Sequence, residues 1–298
     1  YLLVVFSGLL ATFLYNFFAC LLRALGNSLT PLLFLGISAV LNVVLDLVLV
    51  LVVPWGVGGA ALATVIAQFA SGLGITLYTL LLRKDLRPHL ADLRWNVSIL
   101  REIGSLSLLT CMQQSVMNFG ILMVQGLVNR FGPVIMAAFA AAVKIDSFAY
   151  MPVQDFGNAF STFVAQNYGA RQYGRIREGI QKAVRLTLVY CLAVSVFVLF
   201  WARPLMLIFV QPQETATIAA GVTYLRIEGT CYWGIGCLFL LYGLYRAIKR
   251  PAMSLILTVI SLGTRVALAY ALAGPVGVRG IWISIPIGWL LADGAGLL

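Results

Sequence analysis

The segment PVIMAAFAAAVKIDSFAYMPVQDFGNAFSTFVAQNYGA, residues 133–170, decides the fold of this chain. It is mostly apolar, and at a rise of about 1.5 Å per residue a helix of this length exceeds the hydrocarbon core of a bilayer, about 30 Å. Lys144 and Asp146 lie in its middle, where an ionisable side chain costs roughly 2.5–3.5 kcal/mol on insertion scales. The segment therefore predicts a membrane-spanning helix whose charged groups form either a site or a buried structural pair.

The composition of the chain agrees with a membrane protein. Of the 298 residues, 61% are hydrophobic and 10% are charged, whereas a soluble domain has about 25% charged residues. Most of the apolar segments have the roughly 20 residues that a spanning helix needs. They cover about residues 2–24, 32–53, 59–82, 105–129, 134–164, 180–202, 216–243, 252–274 and 277–298. We therefore predict an all-α, polytopic membrane protein with nine helices.

Basic residues are distributed unevenly over the loops. Most of the 20 lysines and arginines fall on one side of the predicted spans, near residues 23, 83–101, 171–185 and 246–250. Arg130, Arg203 and Arg279 fall on the other side. The side with more lysines and arginines is predicted to be cytoplasmic, because cytoplasmic loops carry an excess of these residues. The net charge of +10 therefore indicates orientation in a membrane and not a nucleic-acid partner.

The patterns of cysteine, histidine and lysine exclude several chemistries. The five cysteines lie in apolar segments without CxxC pairing, so we expect neither disulfides nor a metal site. His89 is the only histidine, which excludes an HExxH zinc site, and no lysine follows the glycine spacing of a phosphate-binding loop. We therefore expect no enzyme activity, no ATPase motor and no cofactor.

Two motifs recur with similar spacing and predict an internal repeat. Pro54-Trp-Gly56-Val57-Gly-Gly59 is matched by Pro275-Val-Gly277-Val278-Arg-Gly280, and Arg23-Ala-Leu is matched by Arg246-Ala-Ile. Six predicted spans separate the matched motifs, so the two copies run in the same direction through the membrane. The chain is thus predicted to contain three helices of a first lobe and six of a second. We expect three further helices to precede residue 1 in a twelve-helix protein.

The predicted boundaries follow from this repeat. Residues 1–83 form the C-terminal half of the first lobe, residues 84–104 a cytoplasmic linker between the lobes, and residues 105–298 the second lobe.

Asn42 and Asp46 are the candidate coupling residues of the first lobe. They are four residues apart and share one helix face. In the functional interpretation Asp46 binds a proton or Na⁺ and Asn42 supplies an amide oxygen, whereas in the alternative they cement helix packing. We favour the functional interpretation because the span contains no cation and a buried, unpaired carboxylate is costly.

The second lobe carries balanced charges inside its predicted spans. The set comprises Lys144, Asp146, Asp155, Arg226, Glu228 and Arg265. Such a set can be a buried ion-pair network that fixes the lobe, or it can take part directly in transport, and both roles can coexist. Pro152 removes a backbone donor in the same helix as Asp146 and is predicted to bend that helix as a gate or a static kink.

Several motifs are informative together. They are Arg23-Ala-Leu-Gly26-Asn27, Leu41-Asn42-Val-Val-Leu-Asp46, Gly56-Val-Gly-Gly59-Ala-Ala-Leu-Ala-Thr64 and Ala165-Gln166-Asn167-Tyr-Gly169-Ala170. They resemble the multidrug and toxic compound extrusion (MATE) transporters, from the fourth helix of that fold to the twelfth. The resemblance implies two six-helix lobes around a central cavity, efflux driven by H⁺ or Na⁺ antiport, and a coupling role for the position of Asp46.

The resulting hypothesis is a monomeric antiporter of the bacterial plasma membrane. It would export small molecules, mainly organic cations, in exchange for H⁺ or Na⁺ by alternating access. The alternative is a lipid-linked saccharide flippase of the same superfamily, in which Lys144, Arg226 and Arg265 would line a basic cavity. The carboxylates that balance these cations favour the antiporter. An ion channel would differ from both by conducting without countertransport.

Overall fold

The computed structural model describes residues 2–87 and 95–298, and these residues fold into helices without any β-strand. The helices of the N-terminal part are α1 (Leu2–Ser7), α2 (Leu9–Ala24), α3 (Leu29–Leu47) and α4 (Gly56–Leu82). Those of the C-terminal part are α5 (Val97–Val128), α6 (Pro133–Gly169), α7 (Tyr173–Leu207), α8 (Thr215–Gly229), α9 (Tyr232–Ala247), α10 (Pro251–Ala273) and α11 (Val278–Leu297). The all-α prediction is confirmed.

The lengths and apolarity of the helices fit a polytopic membrane protein. Within residues 2–87 and 95–298, eight helical segments are long and apolar enough to cross a bilayer when α1 and α2 are taken as one. The pair α8 and α9 forms a ninth segment that is bent by 53°. Each predicted span coincides with one of these segments.

The chain divides into two compact units, Tyr1–Trp95 and Asn96–Leu298. Helix α5 begins at Val97, where the Asn96 side chain accepts hydrogen bonds from the amides of Ser98 and Ile99 at 3.1 and 3.2 Å. Such a cap satisfies amides that have no partner inside the helix. The second half of the predicted linker 84–104 is therefore helical, and its residues 88–94 lie outside the described part of the chain.

The first unit is held together by close helix packing and by polar side chains. Gly72 of α4 packs directly against the backbone of Ala11 in α2. The hydroxyl of Ser38 in α3 donates to the carbonyl of Ala67 in α4 at 2.7 Å, and that of Tyr15 donates to the carbonyl of Pro31 at 3.0 Å. Small residues and hydroxyls of this kind hold helices together where lipid offers no hydrophobic driving force.

The turns of the predicted repeat have matching backbones in both copies. Gly26 and Lys249 have positive φ angles of 86° and 61° after α2 and α9. The amides of Asn27 and Arg250 donate, at 2.9 Å each, to the carbonyls of the residues five positions earlier. This is the bond that closes a Schellman-type helix end. The agreement is notable because Lys249 adopts a conformation that normally favours glycine.

The second unit is organised around α6, which contacts α7, α8 and α9. The closest approach is to α9: a Cβ atom on Gly157 would lie 2.9 Å from the carbonyl oxygen of Phe239, and one on Gly243 would lie 2.5 Å from that of Gly157. The two backbones therefore meet where neither side presents a side chain, as in small-residue helix pairs of membranes. Helix α6 continues through Pro152, which is exposed.

Outside the membrane spans, Lys249 connects two ends of the second unit. Its ammonium group lies 2.5 Å from a carboxylate oxygen of Glu102, near the start of α5. This contact raises the pKa of Lys249 above its usual value. Both side chains are largely exposed, so the pair contributes little to stability.

We expect Gly243→Ala to destabilise the second unit by about 1–3 kcal/mol, because the new methyl group must displace the α6 backbone. Gly263→Ala is the matched control, since that glycine of α10 has open space around its Cβ position. The measurement is the thermal unfolding of the purified protein in detergent. Equal melting temperatures for the two variants would contradict the close packing of α6 on α9.

Candidate functional site

Helices α8 and α9 are two halves of one span that is interrupted in its middle. Helix α8 ends at Gly229, α9 begins at Tyr232, and their axes differ by 53°. The amide of Cys231 bonds the carbonyl of Glu228 at 2.9 Å, and the amide of Gly234 bonds that of Cys231 at 2.9 Å. Irregular backbone at membrane depth is tolerated where protein buries it or where it lines a site. In transporters, such interrupted helices mark substrate and ion sites.

Two carboxyl groups meet beside this interruption. Glu228, on the last turn of α8, is 1% exposed, and Asp146 of α6 is 6% exposed. They interact with each other and with the guanidinium group of Arg265 on α10. The Tyr232 hydroxyl, at the start of α9, interacts with Asp146. We call Asp146, Glu228, Tyr232 and Arg265 the buried cluster.

The buried cluster has one more negative than positive group when both carboxyls are ionised. Asp146 Oδ1, Glu228 Oε1, the Tyr232 hydroxyl and Arg265 Nε are buried and form no hydrogen bond with residues 2–87 or 95–298. Buried charges are costly unless they are paired and hydrogen-bonded. The arrangement is therefore suited to taking up one small cation or one proton, which would neutralise it.

Aromatic side chains close one wall of the buried cluster. The ring of Tyr224 packs edge-to-face against Phe139 at 5.5 Å and against Trp282 at 5.8 Å between ring centroids. Tyr224 and Trp282 are 2% and 1% exposed. The Tyr224 hydroxyl also interacts with Glu228. Because the wall excludes water, electrostatic interactions inside the cluster are stronger than they would be in water.

Three of the six charged residues predicted to form a network do not join the buried cluster. Lys144 is exposed, and its ammonium group lies 6.0 Å from the ring centroid of Phe209. Asp155 and Arg226 are also exposed. The physical reason is helix geometry, because residues two apart point in different directions. Asp146 and Glu228 face the cluster, so Lys144 and Arg226 cannot.

Pro152 lies away from the buried cluster. It lines a pocket of about 230 Å³ between α6 and α7, together with Tyr190. The Tyr190 hydroxyl donates to the carbonyl of Ala149 at 3.4 Å, one turn before the proline. The carbonyl that loses its donor to Pro152 is that of Phe148, so the hydroxyl from the neighbouring helix bonds the carbonyl next to it.

The sequence reasoning missed Asp293 on α11. Asp293 is 7% exposed, both of its carboxyl oxygens are buried, and neither oxygen accepts a hydrogen bond from the described residues. Its electrostatic neighbours are Cys237 and Tyr242 of α9. An acidic residue inside the last apolar segment was the available signal.

In the first unit, Asn42 and Asp46 are both half-buried on α3. Asn42 Nδ2 and Asp46 Oδ1 are buried without hydrogen-bond partners among the described residues. Just after Asp46 the helix passes into a π-helical turn, Val48–Val52. Such turns occur frequently at functional sites. Within residues 2–87 and 95–298, no group of three His, Cys, Asp or Glu side chains is placed so that it could hold a metal ion.

A scan against family models matches residues 108–271 to the family described as MatE. Among curated proteins, the chain is 29% identical over 302 residues to a Bacillus subtilis protein named "Probable multidrug resistance protein YpnP", covering 100% of this chain and 66% of that protein. It is 25% identical to the Thermotoga maritima protein named "Probable multidrug resistance protein NorM", covering 96% and 62%. A Shewanella oneidensis protein named "FAD transporter" is 24% identical over 91% of this chain and 60% of that protein.

Solved structures have the same fold. An outward-facing MATE transporter superposes with a TM-score of 0.92 at 24% identity, over 98% of this chain and 66% of that one. A transporter from Pyrococcus furiosus, described as having a binding pocket of reversed polarity, superposes with a TM-score of 0.88 at 24% identity over 95% and 64%. The chain thus spans about two thirds of the length of the proteins that it matches. Bacterial relatives and apolar helices indicate a multi-pass protein of the bacterial plasma membrane.

We expect Arg265→Gln to destabilise the second unit by about 3–5 kcal/mol, because it leaves two buried carboxyls without their cation. Adding Glu228→Gln should recover part of this loss, since one buried charge is then removed. The measurement is a double-mutant cycle of unfolding free energies.

The matched control is Lys144→Gln, which should cost about 1 kcal/mol or less because, within residues 2–87 and 95–298, Lys144 makes a cation–π contact but no salt bridge. Additive effects of Arg265→Gln and Glu228→Gln would show that the two side chains are not coupled.

Proposed function

The chain belongs to the MatE family of multidrug efflux transporters, and on that premise we propose that the complete protein exports small organic molecules in exchange for H⁺ or Na⁺. The observation that carries this proposal is the buried cluster beside the interruption between α8 and α9. It offers two carboxyls against one guanidinium at membrane depth. The protein acts as a monomer.

The coupling cation enters the buried cluster from the outside. It binds between Asp146 and Glu228, neutralises their excess negative charge and replaces electrostatic repulsion by attraction. Because Glu228 ends α8 and Tyr232 begins α9, the binding acts directly on the two sides of the bend. A cation can shift such an equilibrium only by its differential affinity for the two conformations. The two conformations differ in the angle between α8 and α9, so the cation favours the angle at which it binds more tightly.

The ion gradient supplies enough free energy for concentrative export. A membrane potential of 100 mV contributes about 2.3 kcal/mol per charge moved, and one pH unit contributes about 1.4 kcal/mol per proton. Together these terms support a substrate gradient of a few hundred-fold, since each 1.4 kcal/mol corresponds to a factor of ten.

Asp46 provides a second coupling position in the first unit. Its buried, unpartnered oxygen and the π-helical turn that follows it support this role, with Asn42 as the neighbouring amide. Pro152 provides flexibility in α6, six residues after Asp146 along the same helix. The two carboxylate positions are tested separately, because a change at one leaves the other intact.

The cargo is an organic cation or an amphipathic metabolite. Acidic groups outnumber basic ones in the buried cluster, which disfavours the large basic cavity that a pyrophosphate-linked saccharide requires. The Shewanella relative is named for an anionic cargo, so transport measurements include a flavin nucleotide beside a cationic dye.

We expect Glu228→Gln to lower ion-driven export roughly 5- to 150-fold, the range of a coupling free energy of 1–3 kcal/mol. The measurement uses the complete protein in liposomes, with an imposed pH gradient, Na⁺ gradient or potential. Asp155→Asn is the matched control, because Asp155 is exposed on the same helix as Asp146. If Glu228→Gln exports with unchanged dependence on every gradient, the buried cluster does not bind the coupling ion.

We expect Asp46→Asn to lower ion-driven export as well, with Asp85→Asn as the matched control, because it removes a carboxylate from an exposed position of the first unit outside the membrane spans. The readout is the number of H⁺ or Na⁺ ions moved per substrate. An unchanged ratio in Asp46→Asn would remove Asp46 from the coupling machinery and leave the buried cluster as the proposed site.

A further inference from the structure

A groove of about 640 Å³ lies between α8 and α11, on the side of α8 that carries Arg226. Both helices follow the same direction through the membrane, because α10 between them runs the opposite way. The groove is lined by Thr223, Arg226 and Ile227 of α8, by Thr230 and Cys231 of the interruption, and by Arg279, Ile283, Pro286, Ile287 and Leu290 of α11. It belongs entirely to the second unit, and none of the four residues of the buried cluster lines it.

The groove has a charged end and an apolar end. Tyr224 of α8 and Trp282 of α11 pack at 5.8 Å between ring centroids, which marks a common level of the two helices. Arg226 lies two residues after that level and Arg279 three residues before it, so both arginines belong to the half of the groove nearer the start of α11. Further along, the walls are apolar, with Ile283 and Leu290 each 39% exposed. From Arg279 to Leu290 the groove extends about 16 Å along α11 at 1.5 Å per residue. A phospholipid has the matching arrangement, with a charged headgroup followed by apolar acyl chains.

The two arginines have no protein anion in the described part of the chain. Both side chains are exposed, and neither forms a salt bridge or hydrogen bond with residues 2–87 or 95–298. Arg226 lies about 8 Å further along the helix direction than Arg279, which is at the start of α11. An arginine at that depth is costly unless it pairs or reaches the interface. The position therefore calls for an anion that is available within the membrane.

We propose that this groove binds one anionic phospholipid, with its phosphate held by Arg226 and Arg279 and an acyl chain along Ile283, Ile287 and Leu290. Guanidinium groups match phosphate oxygens with paired N–H donors. With the orientation predicted from the loop charges, the lipid belongs to the outer leaflet. A net negative headgroup such as phosphatidylglycerol fits two arginines better than phosphatidylcholine, whose choline cation cancels the phosphate charge.

Native mass spectrometry of the complete protein, titrated with phosphatidylglycerol or phosphatidylcholine in detergent, tests the proposal. We expect the wild type to retain one tightly bound phosphatidylglycerol and to bind it at least tenfold more tightly than phosphatidylcholine. The variant Arg226→Gln/Arg279→Gln should lose this adduct. The variant Arg130→Gln/Arg203→Gln should keep it, because it removes the same charge from exposed positions of the second unit that do not line the groove.

A second variant separates lipid binding from anion binding and covers the case in which the double arginine variant does not fold. Ile287→Trp keeps both arginines and fills the apolar channel, so it should also lose the adduct. Inorganic phosphate and glycerol phosphate should not displace phosphatidylglycerol at equal concentration. The proposal is overturned if either soluble phosphate competes, if the adduct survives in Arg226→Gln/Arg279→Gln or Ile287→Trp, or if phosphatidylcholine binds equally well.

Discussion

The interaction on which the second unit depends is the meeting of Asp146, Glu228 and Arg265 inside the membrane span. Lipid supplies neither hydrogen bonds nor counter-charges, so every polar group at this depth must be satisfied by protein or by a bound species. The interruption between α8 and α9 places Glu228 at a helix end and Tyr232 at a helix start, both directed at Asp146.

The position of the buried cluster depends on small residues that lie elsewhere on α6 and α9. Gly157 and Gly243 let α6 and α9 approach until their backbones touch, and this contact fixes α9 on the helix that carries Asp146. At this contact the two helices have no room to approach further, because close-packed interiors transmit strain. A change at the buried cluster must therefore be accommodated by the angle between α8 and α9, where the backbone is already irregular.

The sequence predicted the spans and the repeat well, because both depend on properties that are visible along the chain. Apolar length predicts a spanning helix, and the turns at Gly26 and Lys249 have the same backbone despite different residues. The sequence could not predict which charged side chains point into the second unit. Lys144 and Asp146 lie in an apolar helix that has no polar stripe to indicate its inner face. The interruption after Gly229 has no proline to announce it, and Asp293 was overlooked inside an apolar segment.

Helices α6 and α7 contain 37 and 35 residues, or about 50–55 Å at 1.5 Å per residue, more than a bilayer of about 40–45 Å including its headgroups. Near the turn that joins them, a separate core that includes Phe160, Val164, Ile176 and Ala247 binds the pair to the end of α9. The pair is longer than the bilayer is thick, and the separate core holds its joined end against the end of α9. A rotation of α9 at that end therefore also moves the part of α6 and α7 that projects beyond the bilayer.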